Sequence, residues 1–306
     1  MLTICIPIYN FDVRMTVSRL AKQAYELPVP VEIVCIDDGS SMFYRARNAS
    51  VKVDAKYIEL EENVGRSKVR NMFLEYAHYD YMLFLDCDSL IDDDSFLERY
   101  IKVIQETKPG VICGGRKYPA KADRGHRLRH RYGCRCECRT AKQRSKSPYK
   151  SFMTNNFVVS KAVLQSIGFD EALSRYGHED TLFGIHLGQK QVPIVHIDNP
   201  VLNGDVEENG LFLSKTKQGV ENLVEIYLKH TVDKELDESV RVVSFYNSLK
   251  SKGLIPVVRL IYHALGNSLE RLMVAGCASV KCFNFYKLGL FIDAMGRSVG
   301  RLEKKS

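Results

Sequence analysis

Up to about residue 205, short apolar runs alternate with segments whose apolar residues recur every three or four positions. The runs 2–8, 31–36, 56–60, 81–85, 111–113, 152–159 and 192–197 read as strands. Between them lie predicted helices: one carrying Val13, Val17, Leu20 and Ala24 on a single face, then 67–76, 96–105, 161–167 and 181–187. Strand and helix in alternation predict an α/β domain with a mostly parallel, Rossmann-like sheet covered on both faces. Asp92-Asp93-Asp94-Ser95 supplies the acidic start expected of a helix, and Pro109-Gly110 ends it. Residues 116–150 have few apolar positions and no steady period, so they read as one long loop. Beyond about Gly210 the pattern is helical only, with Leu223, Ile226 and Tyr227 in one stretch and 254–273 in another. The expected organisation is an α/β domain over 1–205 and a helical region over 206–306.

Composition adds three things. A chain of 306 residues that is 45% hydrophobic can bury a full core, so wholesale disorder is excluded. Cys5, Cys35, Cys87 and Cys113, four of the nine cysteines, lie in or beside apolar runs, where a reduced thiol acts as a small hydrophobe. The net charge of +7 is local: 116–150 holds 13 Lys and Arg against Asp123 and Glu137, which leaves the rest of the chain net negative. The chain opens straight into a strand-like run rather than a basic start with a cleavage site, so a cytoplasmic location is expected. No apolar stretch is long enough to span a bilayer, and any membrane contact is expected to be peripheral, on the inner face.

The candidate chemistry lies at strand ends. In Tyr81-Met82-Leu83-Phe84-Leu85-Asp86-Cys87-Asp88 an apolar run ends in two carboxylates at i and i+2, which an extended chain projects to one side. Side by side they repel unless a cation joins them, and a hard divalent ion can bridge carboxylate to phosphate oxygens. A solvated pair of loop acids is the plain alternative. The C-terminal ends of parallel strands are where open sheets bind ligands, which favours the first reading. Ile4-Cys5-Ile6-Pro7-Ile8-Tyr9-Asn10 and Ile33-Val34-Cys35-Ile36-Asp37-Asp38-Gly39-Ser40 end at the same edge. Glu62-Asn63-Val64-Gly65-Arg66-Ser67-Lys68-Val69-Arg70-Asn71 sets a glycine before a helix with three basic residues, suited to phosphate.

These four segments, in this order, resemble the family 2 glycosyltransferases, whose nucleotide-binding half has the GT-A fold. Thr154-Asn155-Asn156-Phe157 and Tyr176-Gly177-His178-Glu179-Asp180-Thr181-Leu182-Phe183 extend the resemblance, which covers roughly residues 2–200. It implies a GT-A catalytic domain in 1–205, divided into nucleotide-sugar binding (1–115), the basic loop (116–150) and an acceptor and base region (151–205). It further implies that Pro7, Tyr9 and Asp38 hold the nucleobase, that Arg70 approaches it from the side, and that Asp86 lies near the ribose. Asp88 matches the metal ligand for Mn²⁺ or Mg²⁺, Asp180 the catalytic base, and Asn155, Asn156 and Glu179 the acceptor side. The expected reaction is inverting transfer from a nucleotide sugar, uridine diphosphate-linked, to a saccharide or lipid-linked acceptor in polysaccharide biosynthesis. One position departs: related enzymes often place a metal-binding His after the last core strand, where this chain has Asn203, whose carbonyl oxygen makes a weaker ligand.

Other signals carry less. Cys134-Arg135-Cys136-Glu137-Cys138 lacks the C-x₂₋₄-C spacing of zinc sites. His196, inside a predicted strand, reads as a hydrogen-bonded structural residue. The basic segment matches no nucleic-acid-binding motif, and nucleic acid is not an expected partner. Stretches 254–273 and 280–295 are amphipathic, with Arg259, Arg271, Lys281, Lys287 and Arg297 beside apolar residues, and fit packing on the core or lying in a membrane interface. A nucleotidyltransferase, or an inactive glycan-binding scaffold on the same fold, is the alternative. A Rossmann dehydrogenase is disfavoured, because no G-x-G-x-x-G follows the first strand.

Overall fold

The run Leu2–Ile8 forms β1 and is buried at every position except Pro7, as a central strand covered on both faces must be. In this computed structural model, which describes residues 1–173, 177–229 and 234–302, β1 pairs in parallel with β2 (Val31–Asp37) and β4 (Tyr81–Leu85). Beyond β2 lies β3 (Lys56–Glu59), also parallel. Three further strands, β6 (Val111–Cys113), β8 (Asn156–Ser160) and β9 (Ile194–His196), complete a seven-stranded sheet in the order β3-β2-β1-β4-β8-β6-β9. The sheet is mostly parallel, but β8 runs antiparallel to both its neighbours, with Leu85 opposite Asn156. That pairing brings Asn155 and Asn156 to the same edge as the end of β4.

Both faces are filled as the periodicity predicts. Helices Arg14–Glu26 and Phe96–Thr107 bury Val17, Leu20, Phe96, Tyr100 and Ile104 against one face. On the other, Val69 and Phe73 of helix Arg66–Tyr76 join Phe84, Phe157, Phe169 and Phe183. The ring pairs Phe84–Phe157 and Phe169–Phe183 stack at centroid distances of 5.1 and 4.5 Å, a packing worth about 1 kcal/mol per pair beyond area burial.

A second, three-stranded sheet escaped the sequence pattern. It joins β5 (Ser89–Leu90), β7 (Arg116–Lys117) and β10 (Val201–Asn203) in the order β5-β10-β7. Two- and three-residue strands show no period of their own; only pairing with partners distant in sequence defines them.

The expectation of one long loop over 116–150 is corrected. It contains β7 and helices Arg127–Cys136 and Ala141–Arg144. Helix Arg127–Cys136 buries Leu128 and packs Tyr132, while around Ala141–Arg144 the order comes from a buried cationic side chain rather than from apolar periodicity. Arg144, 2% exposed, donates to the carbonyls of Arg139, Cys113, Gly114 and Ile197. Its Nη1 also lies 2.9 Å from His196 Nδ1. Because guanidinium only donates, Nδ1 must accept, which leaves Nε2–H to donate to the Pro148 carbonyl. His196 is thus the hydrogen-bonded structural histidine anticipated.

Burial, reinforced by Arg144, holds His196 down to about 4. Burial and Lys287 hold His178 down to about 4 as well. Between pH 4 and 6.5 the unfolded chain therefore binds protons that the folded one refuses, and stability falls as pH drops through that window. We expect a loss of about 3 kcal/mol for each histidine, read as a lower Tm at pH 4.5 than at 7.5.

The chain divides into two compact units. One holds 1–119, 137–174 and 182–205, and the other 120–136, 175–181 and 206–306. The second unit is helical, built on Asn209–Lys229, Ile255–Val274 and Val280–Leu302. Its core gathers Leu128, Leu213, Met273, Phe283 and Tyr286, with Phe212 stacked on Phe283 at 5.2 Å. Among the described residues no helix is long and apolar enough to cross a membrane.

Candidate active site

The C-terminal ends of β1, β2 and β4 gather the expected strand-end residues. Pro7 is half-buried, while Tyr9, just past β1, leaves 53% of its surface exposed, a ring face open to stacking. Asn10 next to it adopts φ 49°, takes its amide N–H to Ser40 Oγ and accepts from Ser41 N–H. Asp38 is buried, and its carboxylate accepts from the backbone N–H of Val64 at 2.7 Å and of Gly65 at 3.2 Å. Burial pushes its carboxyl above the usual range against the pull of those two donors. Asp38 therefore pins the loop that launches helix Arg66–Tyr76. Gly65 there has φ 92°, a conformation that strains any other residue.

Arg70, expected beside a nucleobase, is 2% exposed and gives its Nη2 to Asp86 Oδ1 at 3.1 Å. Burial works against ionisation of Asp86, but Arg70, Arg66 and Arg116 outweigh it and hold the carboxyl below its ordinary range. Asp86 keeps 26% of its side chain exposed, so it is a charged group, fixed from behind, that still faces solvent. Removing the guanidinium leaves that carboxylate poorly compensated. Arg70→Leu is expected to cost about 2–3 kcal/mol in urea unfolding, with Arg70→Lys losing less.

The small sheet brings two residues to Asp88. Asn203 pairs with Ser89 across β10 and β5, and its Nδ2 lies 2.9 Å from Asp88 Oδ2. Asn203 Oδ1 is buried without a hydrogen-bond partner among the described residues. Arg116, placed by the pairing of β7 with β10, sets its Nη2 3.7 Å from the same Asp88 oxygen and its Nη1 3.5 Å from Glu137. Glu137 also accepts from Tyr118 Oη at 2.5 Å. Among the described residues no group of three or more His, Cys, Asp and Glu is arranged to hold a metal. The donor set here is smaller but suits a hard cation: one carboxylate, plus an amide oxygen that has no other partner. A hard cation held there would draw the rest of its shell from phosphate oxygens or water. Sequence reasoning did not single out Arg116; its one signal was the preceding Gly114-Gly115. A Cβ on Gly114 would meet Tyr100 Oη at 2.1 Å, and Gly115 has φ 95°.

The two asparagines on the β8 side differ in what they can reach. Asn156 is fully engaged: Nδ2 donates to the Gly115 and Asn199 carbonyls, and Oδ1 accepts from Tyr100 Oη at 2.6 Å. It braces the turn behind Arg116. Asn155 accepts the Asp86 backbone N–H at its own carbonyl, and its Nδ2 is buried without a partner among the described residues. Glu179 and Asp180 form the first turn of helix Glu179–Gln189, and both fall in the second unit. Glu179 is 8% exposed. Asp180 Oδ1 accepts from Thr181 N–H at 2.7 Å. His178 before them has φ 72°, uncommon for a side-chain-bearing residue. The Gly177 carbonyl is held by Asn222 Nδ2. Tyr176 lies outside the described residues.

Comparison with known proteins bears on this arrangement. Residues 3–168, more than half of the chain, match the model of the family described as "Glycosyl transferase family 2". A chondroitin synthase of Pasteurella multocida (strain Pm70) is 26% identical over 228 residues, which are 62% of this chain and 23% of that protein. The chain spans about a quarter of the length of the curated relatives it matches. Among solved structures, a mannosyltransferase from Pyrobaculum calidifontis in complex with GDP-Man and Mn²⁺ aligns over 100% of this chain and 88% of its own, with TM-score 0.55 and 13% identity. S. aureus TarS 1-349 in complex with UDP aligns over 100% and 92%, with TM-score 0.51 and 19% identity. At such identities the likeness shows the fold, which is of the GT-A type.

Proposed function

The chain belongs to glycosyl transferase family 2, and on that basis we propose that it moves a sugar from a nucleoside diphosphate donor to a saccharide or lipid-linked acceptor, with inversion. The observation that carries this reading is the convergence of Asp86, Asp88, Asn203 and Arg116 at the end of β4, with Asp86 fixed by the buried Arg70. Tyr9 offers a ring to the nucleobase, with Pro7 and the Asp38-pinned loop forming the wall beside it. Asp86 accepts from the ribose hydroxyls. Asp88 and the Asn203 amide oxygen hold Mn²⁺ or Mg²⁺, which when bound offsets charge on the departing diphosphate. Arg116 contributes a second, fixed positive charge to the same leaving group.

Asp180 takes the acceptor hydroxyl proton as the acceptor oxygen bonds to the anomeric carbon and the bond from that carbon to phosphate oxygen breaks. The positive end of the helix dipole stabilises a carboxylate at this first-turn position. A single base without a protein nucleophile displaces once, so an α-linked donor gives a β-linked product. Support for a uridine donor comes from TarS, solved with UDP, and for a metal from the mannosyltransferase, solved with Mn²⁺.

Calorimetric titration of a nucleotide-sugar panel with and without Mn²⁺ tests the donor reading. We expect a UDP-sugar to bind in a metal-dependent way and turnover to release nucleoside diphosphate. Release of pyrophosphate would instead identify a nucleotidyltransferase. Binding of no nucleotide sugar under either condition would leave a glycan-binding scaffold.

A further inference from the structure

Helix Ile255–Val274 is buried only at Gly266 and Met273, although most of its residues are apolar. One side is anchored: Arg259 pairs with Asp293 at 3.2 Å, and Glu270 accepts from Lys217 and from Tyr286 Oη. The other side carries Leu254, Val257, Ile261, Leu265 and Leu272, spaced so that they form one stripe, each between 41% and 52% exposed. Leu260 flanks the stripe at 72%, and Phe245 on the preceding helix Arg241–Ser251 is 64% exposed. The neighbouring helix Val280–Leu302 behaves differently, burying Phe283, Tyr286, Phe291 and Ile292. Packing therefore accounts for one of the two amphipathic stretches and leaves the other bare.

Charge identifies what covers it. Residues 241–281 hold six basic residues (Arg241, Lys250, Lys252, Arg259, Arg271 and Lys281) and one acid, Glu270, which sits on the anchored side. A contiguous apolar stripe rimmed by exposed Lys and Arg complements a surface that is apolar within and negative at its border. A second copy of the chain would bring two positive rims together, which works against a self-paired face. We propose that helix Ile255–Val274 docks on the interface of an anionic phospholipid bilayer, lying in the plane with the stripe among the acyl chains and Lys250, Lys252 and Arg271 at the headgroups. This inference does not rest on the donor chemistry above.

The test is co-flotation of the full chain with phosphatidylcholine vesicles, with and without roughly 30 mol% phosphatidylglycerol, a fraction chosen to give a strongly negative surface potential. We expect binding to the anionic vesicles only, weakened when salt is raised. Val257→Ser/Ile261→Ser/Leu265→Ser is expected to lower partitioning by roughly a hundredfold, and Lys250→Glu/Lys252→Glu/Arg271→Glu by roughly tenfold or more. All six side chains are exposed, so thermal melts of both variants should match the parent. Equal binding to neutral and anionic vesicles overturns the proposal without reference to any variant. So does undiminished binding by the stripe variant. A parent chain that ignores vesicles but sediments as a dimer, dissociated by the stripe substitutions, overturns it in favour of a self-interface.

Discussion

Asp180→Asn should abolish sugar transfer while leaving donor binding nearly intact. The amide keeps the size of the carboxylate and can still accept the Thr181 N–H at its Oδ1, so the first turn of helix Glu179–Gln189 should stand. What it cannot do is accept a proton. Removing a general base typically costs about 10²- to 10⁴-fold in rate, and here the loss should fall on kcat, because Asp180 is not among the residues proposed to hold the donor. Calorimetry with a UDP-sugar and Mn²⁺ should give a dissociation constant within about twofold of the parent, a change under about 0.5 kcal/mol. A variant with full activity would remove Asp180 from the mechanism. Glu179→Gln is the informative companion, since Glu179 shares the turn and the motif; if it alone loses activity, the base has been placed one residue too late.

What the sequence disclosed and what it withheld follow from the same physics. β1, β2, β4 and β6 were legible because a strand covered on both faces must be apolar throughout. The Asp86-Cys87-Asp88 pair was legible because it follows such a run directly. The companions of Asp88 were not. Asn203 and Arg116 reach it only through β10 pairing with β5 and β7, contacts between residues more than eighty positions apart, in strands of two or three residues. Local pattern carries no record of such pairings, although the resemblance to a known family marked Asn203.

The loop expected over 116–150 failed for a related reason. One of its ordering residues, Arg144, is a charged side chain in a place where pattern reading expects a hydrophobe. Five hydrogen-bond partners, four of them carbonyls, make that burial tolerable, and only the fold supplies them. Arg70 shows the same blind spot. The resemblance set it in the segment that approaches the nucleobase from the side; the structure buries it and gives its Nη2 to Asp86, a pairing that local pattern does not show.

That difference between what faces the ligand and what stands behind it governs the second large effect. Asp88→Ala removes the carboxylate that the Asn203 amide touches, so the proposed metal site would lose its charged ligand and keep a neutral amide oxygen beside the Arg116 cation. Mn²⁺ should then no longer strengthen donor binding, and kcat/KM should fall about 10³-fold, the scale seen when charge stabilisation of a leaving group is lost. Unlike Asp180→Asn, this variant should lose donor affinity and rate together, with the parent's metal-free dissociation constant as its floor. Asn203→Asp is the converse. Its second carboxylate, placed where Oδ1 now lacks a partner, should draw the cation more tightly and lower the Mn²⁺ concentration giving half-maximal activity by roughly tenfold. If Asp88→Ala still shows metal-dependent donor binding equal to the parent, the cation is held elsewhere, and Arg116 rather than a metal is the positive charge that belongs to Asp88.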